Sequence, residues 1–236
     1  MNNNLTIISG FWKVKNKHDN KFENWFTKTL KINCPYVFFG NEETINIVKQ
    51  HRQNLPTHYI LCEISDFYTY KYIDFIETHD VHCPSKELNL IWNEKLFFVK
   101  KAAELNIFNS EYFAWVDSGI CTFRDSNPPQ DPFPNVNKLM SLPKDKFIFT
   151  SSELFYDKRL VNDNLYYHYI SAGVFIMHKD FINNFVDLYK QFIDNLLLKK
   201  KWIYTEQVIL TRMFYFYPNL FYKLCDGYGN IIPLLY

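Results

Sequence analysis

Short β-prone apolar runs alternate with segments of helical periodicity through the first half of the chain, and this alternation limits the possible folds more than any other feature. Leu5-Thr6-Ile7-Ile8-Ser9-Gly10 is followed by Phe22, Trp25, Phe26 and Leu30 at helical spacing within 22–32. Pro35-Tyr36-Val37-Phe38-Phe39-Gly40 ends at Gly40-Asn41, a polar helical segment runs from Glu42 to about His51, and His58-Tyr59-Ile60-Leu61-Cys62-Glu63-Ile64 is a third β-rich run. Strand, helix, strand, helix, strand is the pattern of parallel βαβ units, so an α/β fold is predicted.

The second half continues in the same style. Leu88, Ile91, Trp92, Leu96, Val99, Ala102 and Ala103 predict a helix from Ser85 to Leu105, leading into a strand at Tyr112-Phe113-Ala114-Trp115-Val116. Later strands are predicted over 146–150 and 169–178. An amphipathic helix is predicted from Asp180 to Lys200, and another from Thr205 to Tyr217, stopped by Pro218. Ser126-Asn127-Pro128-Pro129-Gln130-Asp131-Pro132-Phe133-Pro134 cannot be regular structure and reads either as a lid or acceptor-binding rim or as a plain surface connection. With 236 residues, no internal repeat and no linker, the chain is expected to form one domain over 1–236.

Composition narrows the function classes. Aromatic residues make up 19% of the chain, with 23 Phe and 17 Tyr, and the charge balance is 26 basic to 25 acidic residues, so there is no broad cationic field for a nucleic-acid backbone. Nucleic acid is therefore not an expected partner. The run Lys199-Lys200-Lys201 reads as a solvated helix terminus complementing the helix dipole. Only 6 Gly are present, with no G-x-G-x-x-G and no G-x-x-x-x-G-K, so bound phosphate would be held by other means. Five scattered cysteines without a C-x-x-C pair suggest reduced thiols. The start of the chain lacks a signal-peptide layout and no apolar run reaches membrane-spanning length, so a soluble cytoplasmic protein is expected.

Three motifs carry chemistry. In Trp115-Val116-Asp117-Ser118-Gly119 an apolar strand delivers a carboxylate into a Ser-Gly turn, which suits either a ligand contact beyond a strand end or a turn cap. Ile170-Ser171-Ala172-Gly173-Val174-Phe175 is an apolar strand interrupted by small residues, as where a ligand or backbone approaches closely. Thr205-Glu206-Gln207 places an N-cap before two polar residues in a helix's first turn. Lys95, Arg124, His168 and Asp226 join these as candidates. Each has a structural alternative: a solvated helix face for Lys95, pairing with Asp125 or Asp131 for Arg124, a helix-start charge for Glu206, and a purely structural role for His168 and Asp226.

With these motifs in hand, the chain resembles the HtrL/YibB-type proteins, which in turn look like type A glycosyltransferases. The likeness runs from Trp92-Asn93-Glu94-Lys95 and Phe108-Asn109-Ser110-Glu111-Tyr112-Phe113, through Trp-Val-Asp-Ser-Gly and Ser-Ala-Gly-Val-Phe, to Glu206-Gln207. The resemblance implies a GT-A-like (Rossmann-like) mixed, mainly parallel sheet flanked by helices, with the nucleotide-sugar side at roughly 1–125 and the acceptor side at roughly 126–236. It implies transfer of a sugar, from a UDP-sugar or a related nucleotide-sugar, to a saccharide acceptor. The roles implied are ribose and metal (Mn or Mg) for Asp117, diphosphate for Lys95 and Arg124, and a close-packed floor for Ser171, Ala172 and Gly173. Gln207 and Glu206 would face the sugar, with Glu206 as catalytic base. The pattern departs from Asp-x-Asp at Gly119, so either another carboxylate such as Asp226 completes a metal's shell, or Arg124 and Lys95 neutralise the diphosphate in its place. A non-catalytic saccharide- or nucleotide-binding module on the same fold is the alternative.

Overall fold

A computed structural model of the chain describes residues 4–16, 18, 21–80, 82–152, 156–163, 166–197 and 204–236. Seven strands form one sheet: β1 (Leu5–Phe11), β2 (Tyr36–Gly40), β3 (Thr57–Leu61), β4 (Tyr112–Val116), β5 (Phe147–Ser151), β6 (Ile170–His178) and β7 (Phe221–Asp226), in the order β3-β2-β1-β4-β6-β5-β7. All pairings are parallel except those that β6 makes with β4 and β5. The predicted mixed, mainly parallel α/β sheet flanked by helices is therefore what the chain adopts. β7 was not foreseen. It is an edge strand exposed along much of its length, and it lacks the continuous apolar run that betrays a buried strand.

The helices are α1 (Lys21–Thr29), α2 (Glu42–His51), α3 (Lys86–Leu105), α4 (Val136–Met140), α5 (Leu160–Asp163), α6 (Lys179–Leu197), α7 (Glu206–Phe216) and α8 (Ile231–Leu235). Three of the long ones begin at side-chain caps: Asn41, Ser85 and Thr205 accept from the backbone N–H groups of Thr44, Leu88 and Val208. The basic run Lys199-Lys200-Lys201 lies outside the described residues.

The central strands are buried on both faces and alternate between two cores. Phe113 and Trp115 of β4 and Phe175 and Met177 of β6 join the cluster that includes α3, α6 and α7, whereas Tyr112, Ala114, Val116, Val174 and Ile176 join a second cluster with Leu139, Ile231 and Ile232. Period-two alternation between two apolar layers makes these runs read as continuously hydrophobic. The proline-rich segment is a surface connection: Phe133 N–H donates to Asn33 O, Asn33 donates to Gln130 O, and Phe133 is buried against the second core. None of its residues lines the cavity described below.

Arg52 staples the first βαβ units together. It is 1% exposed, lies 3.8 Å over the Tyr36 ring, and donates to the carbonyls of Leu30, Ile32, Cys34 and Pro56 and to Thr57 Oγ1. Backbone carbonyls thus satisfy a buried cation that has no carboxylate partner among the described residues.

Candidate functional site

The chain order runs outward from β1 to β2 and β3, then returns to place β4 on the other side of β1. Adjacent loops leaving the carboxyl ends of β1 and β4 therefore diverge to opposite sides, and such a switch point opens a crevice where α/β sheets bind ligands. A cavity of about 380 Å³ lies there, within the usual range for small-molecule sites. Its walls include Gly10, Phe11, Trp12, Asn16 and His18 at the end of β1 and beyond it, Asp117, Ser118, Gly119 and Arg124 after β4, Gly173 on β6, the α3 face bearing Lys95, and the start of α7.

Asp117 follows the last residue of β4. Its backbone N–H donates to Gly173 O at 2.8 Å, which continues the β4–β6 pairing one step beyond Val116↔Val174. The side chain is 36% exposed. Oδ1 accepts from Trp115 Nε1 at 2.6 Å and from Lys95 Nζ at 2.7 Å, while Oδ2 has no hydrogen-bond partner among the described residues and faces Gly173. The carboxylate is thus fixed by one oxygen and available to a ligand through the other.

Lys95 is neither on a solvated face nor presented to the cavity as a free cation. It is 2% exposed, and its three N–H donors reach Asp117 Oδ1 at 2.7 Å, Glu206 Oε1 at 2.7 Å and Ala172 O at 3.3 Å. Burial opposes its charge, but Asp117 and Glu206 outweigh burial and hold its pKa above the ordinary lysine value. α3 can carry a polar stripe inside because each neighbour is also satisfied. Glu94 accepts from Tyr68 N, Thr69 N and Thr69 Oγ1, and Asn93 donates to Tyr204 O.

Glu206 opens α7 but is not a solvated helix-start charge, since it is 3% exposed. Burial pushes its pKa above the ordinary carboxylate value, Lys95 opposes the shift, and Asp117 adds to it. The helix start is anchored to β6 by Gln207 Oε1, which accepts from Ala172 N at 3.2 Å, and by Thr211 Oγ1, which accepts from Tyr169 N and Ile170 N. The Gln207 side-chain nitrogen has no partner among the described residues, and Gln207 lines the cavity.

The other candidates divide. Gly173 lines the cavity, but Ser171 and Ala172 are wholly buried behind it. A Cβ at Gly173 would sit 3.4 Å from Asp117 Oδ2 and Ile120 Cδ1, an ordinary contact, so the close approach expected there is to the cavity and not to backbone. Arg124 lies 3.9 Å over the Trp25 ring and lines the cavity; its Nε is buried without a partner, and among the described residues it forms no ion pair with Asp125 or Asp131. His168 also lines the cavity, its ring bonded to Tyr166 O and Tyr228 Oη.

The structure does not bring Asp226 to Asp117. Asp226 is bound to Ser151 and Lys223 and does not line the cavity. Among the described residues no group of three or more His, Cys, Asp or Glu side chains is arranged to hold a metal. The residues at Asp117 do not fit Mn or Mg, because hard cations need several oxygens and the two carboxylates here already share an ammonium. Sequence reasoning missed Trp12, Phe22, Trp92, Tyr166 and Tyr228, which supply the aromatic walls. The switch-point rule applied to the loop after β1 would have found Trp12; Phe22 lies on α1.

The family model described as a bacterial protein of unknown function (HtrL_YibB) matches residues 67–231. No curated protein matches. Among solved structures, the apo-form glycosyltransferase GlyE of Streptococcus pneumoniae TIGR4 is similar at a TM-score of 0.46 and 10% identity, over 93% of this chain and 44% of that one. The 4-diphosphocytidyl-2C-methyl-D-erythritol synthase of Anaerococcus prevotii DSM 20548 is similar at 0.41 and 11%, over 94% and 85%. This chain thus spans less than half the length of the glycosyltransferase. Among the described residues no helix is long and apolar enough to cross a membrane.

Proposed function

The chain belongs to the HtrL_YibB family, and we propose that it is a glycosyltransferase that moves a sugar from a nucleotide-sugar, a UDP-sugar foremost, to a saccharide acceptor. The observation that carries this reading is the switch-point cavity into which Asp117 presents a single uncommitted oxygen between aromatic walls. Sugars and bases offer flat apolar faces edged with hydroxyl or N–H donors, which suits Trp12, Trp92, Tyr166 and Tyr228 for stacking and Asp117 Oδ2 as acceptor. Arg124 presents a cation to a diphosphate.

In this reading the acceptor hydroxyl oxygen attacks the anomeric carbon, the bond from that carbon to the diphosphate oxygen breaks, and the nucleoside diphosphate leaves with the bonding pair. The hydroxyl proton passes to Glu206, whose raised pKa brings it closer to the working range of a general base. Gln207 donates to a sugar hydroxyl from its free amide nitrogen. The second reading, a non-catalytic saccharide- or nucleotide-binding module, draws on the Lys95 contact to Glu206 Oε1, which occupies the proposed base.

Incubation with a panel of nucleotide-sugars, with and without oligosaccharides, separates the two. Release of nucleoside diphosphate accelerated by acceptor supports the transferase; calorimetric binding of a nucleotide-sugar with no turnover across the panel supports the module.

A further inference from the structure

We infer that this pocket works without a divalent cation, the Lys95 ammonium being the permanent positive charge that joins Asp117 to Glu206. The inference rests on reading the cavity as the ligand site, but not on which group is transferred. Three independent features support it.

First, Lys95 is chemically complete. Its three donors meet Asp117 Oδ1, Glu206 Oε1 and Ala172 O, and Asp117 Oδ1 also takes Trp115 Nε1, so a metal entering at these oxygens would meet a buried like charge bonded to both carboxylates. Second, among the described residues Asp117 and Glu206 are the only carboxylates lining the cavity, and the ammonium already takes one oxygen of each, which leaves too few for a hard cation while Lys95 is in place. Third, the place where an Asp-x-Asp pattern would put its second carboxylate is filled. A Cβ at Gly119 would lie 2.5 Å from the Phe22 ring, which itself stacks on Phe11 at 5.3 Å. A third ligand cannot enter there while Phe22 holds this position.

The charge tally has a consequence for phosphate. Two carboxylates against one ammonium leave the buried cluster without spare positive charge, so an anionic ligand is met by Arg124. Its guanidinium is held on Trp25 and forms no ion pair among the described residues.

The test is titration of MnCl2 into the whole chain, followed by the electron paramagnetic resonance signal of free Mn. Wild type is expected to bind none stoichiometrically, and its melting temperature is expected to be the same in EDTA and in Mn. Lys95→Ala releases both carboxylates and should acquire Mn binding that is lost again in Lys95→Ala with Asp117→Asn. Stoichiometric Mn binding by wild type, removed by Asp117→Asn, overturns the inference, as does a folded Lys95→Ala chain that ignores Mn. Should Lys95→Ala fail to fold, the wild-type titration alone decides. UDP titrated calorimetrically in EDTA and in Mn gives a separate arm: equal affinity supports the inference, and binding that appears only with Mn overturns it. If UDP binds in neither, the nucleotide reading fails while the Mn titration still decides the role of Lys95.

Discussion

The backbone N–H of Asp117 donates to the carbonyl of Gly173 at 2.8 Å, so the candidate carboxylate and the small residue facing its free oxygen are locked together by the sheet itself. Rigid elements position ligand groups better than loops do, and here one hydrogen bond past the end of β4 fixes both partners.

Gly173→Ala should therefore separate binding from folding. The added methyl finds ordinary contact distance, and the backbone needs no left-handed conformation, so the melting temperature should stay close to that of wild type. Yet the methyl abuts Asp117 Oδ2, and nucleotide-sugar affinity measured by calorimetry should fall by about tenfold or more, the cost of one weakened charge-assisted hydrogen bond. Unchanged affinity would place the ligand elsewhere.

Glu206→Gln should leave donor binding largely intact while lowering transfer by about 10²–10⁴-fold, the usual contribution of a general base. It should also change stability in a pH-dependent way. A glutamate whose folded pKa is raised contributes stability fully present below its unfolded pKa and lost as pH rises through the folded value. Urea unfolding of both proteins should thus show wild type losing ground to Glu206→Gln as pH climbs above the unperturbed glutamate value of about 4.3. A difference that is flat with pH would mean that Glu206 is not held in a destabilised ionised state.

Arg52→Met should be strongly destabilising without touching the site. The guanidinium satisfies four carbonyls and one hydroxyl, and leaving even two such buried groups bare costs on the order of 2–6 kcal/mol. Chemical denaturation is the check, and a loss under about 1 kcal/mol would show that water replaces the arginine.

The sequence made the sheet largely readable because the inner strands are buried on both faces and the helices carry one apolar stripe. Ser85, Thr205 and Asn41 then marked where three helices begin. β7 escaped because an exposed edge strand has no such run. Asp117 was legible as a carboxylate at the end of an apolar strand. The partnership of Lys95 with Glu206 was not, since 111 positions separate them and no local pattern distinguishes a buried helix lysine from a solvated one. Asp226 was offered by the sequence as a second carboxylate for a metal beside Asp117, but Lys223, three residues earlier on the same strand, takes its charge.

The most direct measurement of the central claim is calorimetric titration of a nucleotide-sugar panel into wild type and Asp117→Asn. Asparagine keeps an oxygen for Trp115 and the size of the side chain, so the variant should stay folded by circular dichroism, while the free acceptor oxygen is lost or weakened. At least one nucleotide-sugar should bind wild type and bind Asp117→Asn about 10- to 100-fold more weakly, as expected for a hydrogen bond to a charged group. Equal affinity in the two proteins, or no binding across the panel, would contradict the assignment of this cavity as a nucleotide-sugar site.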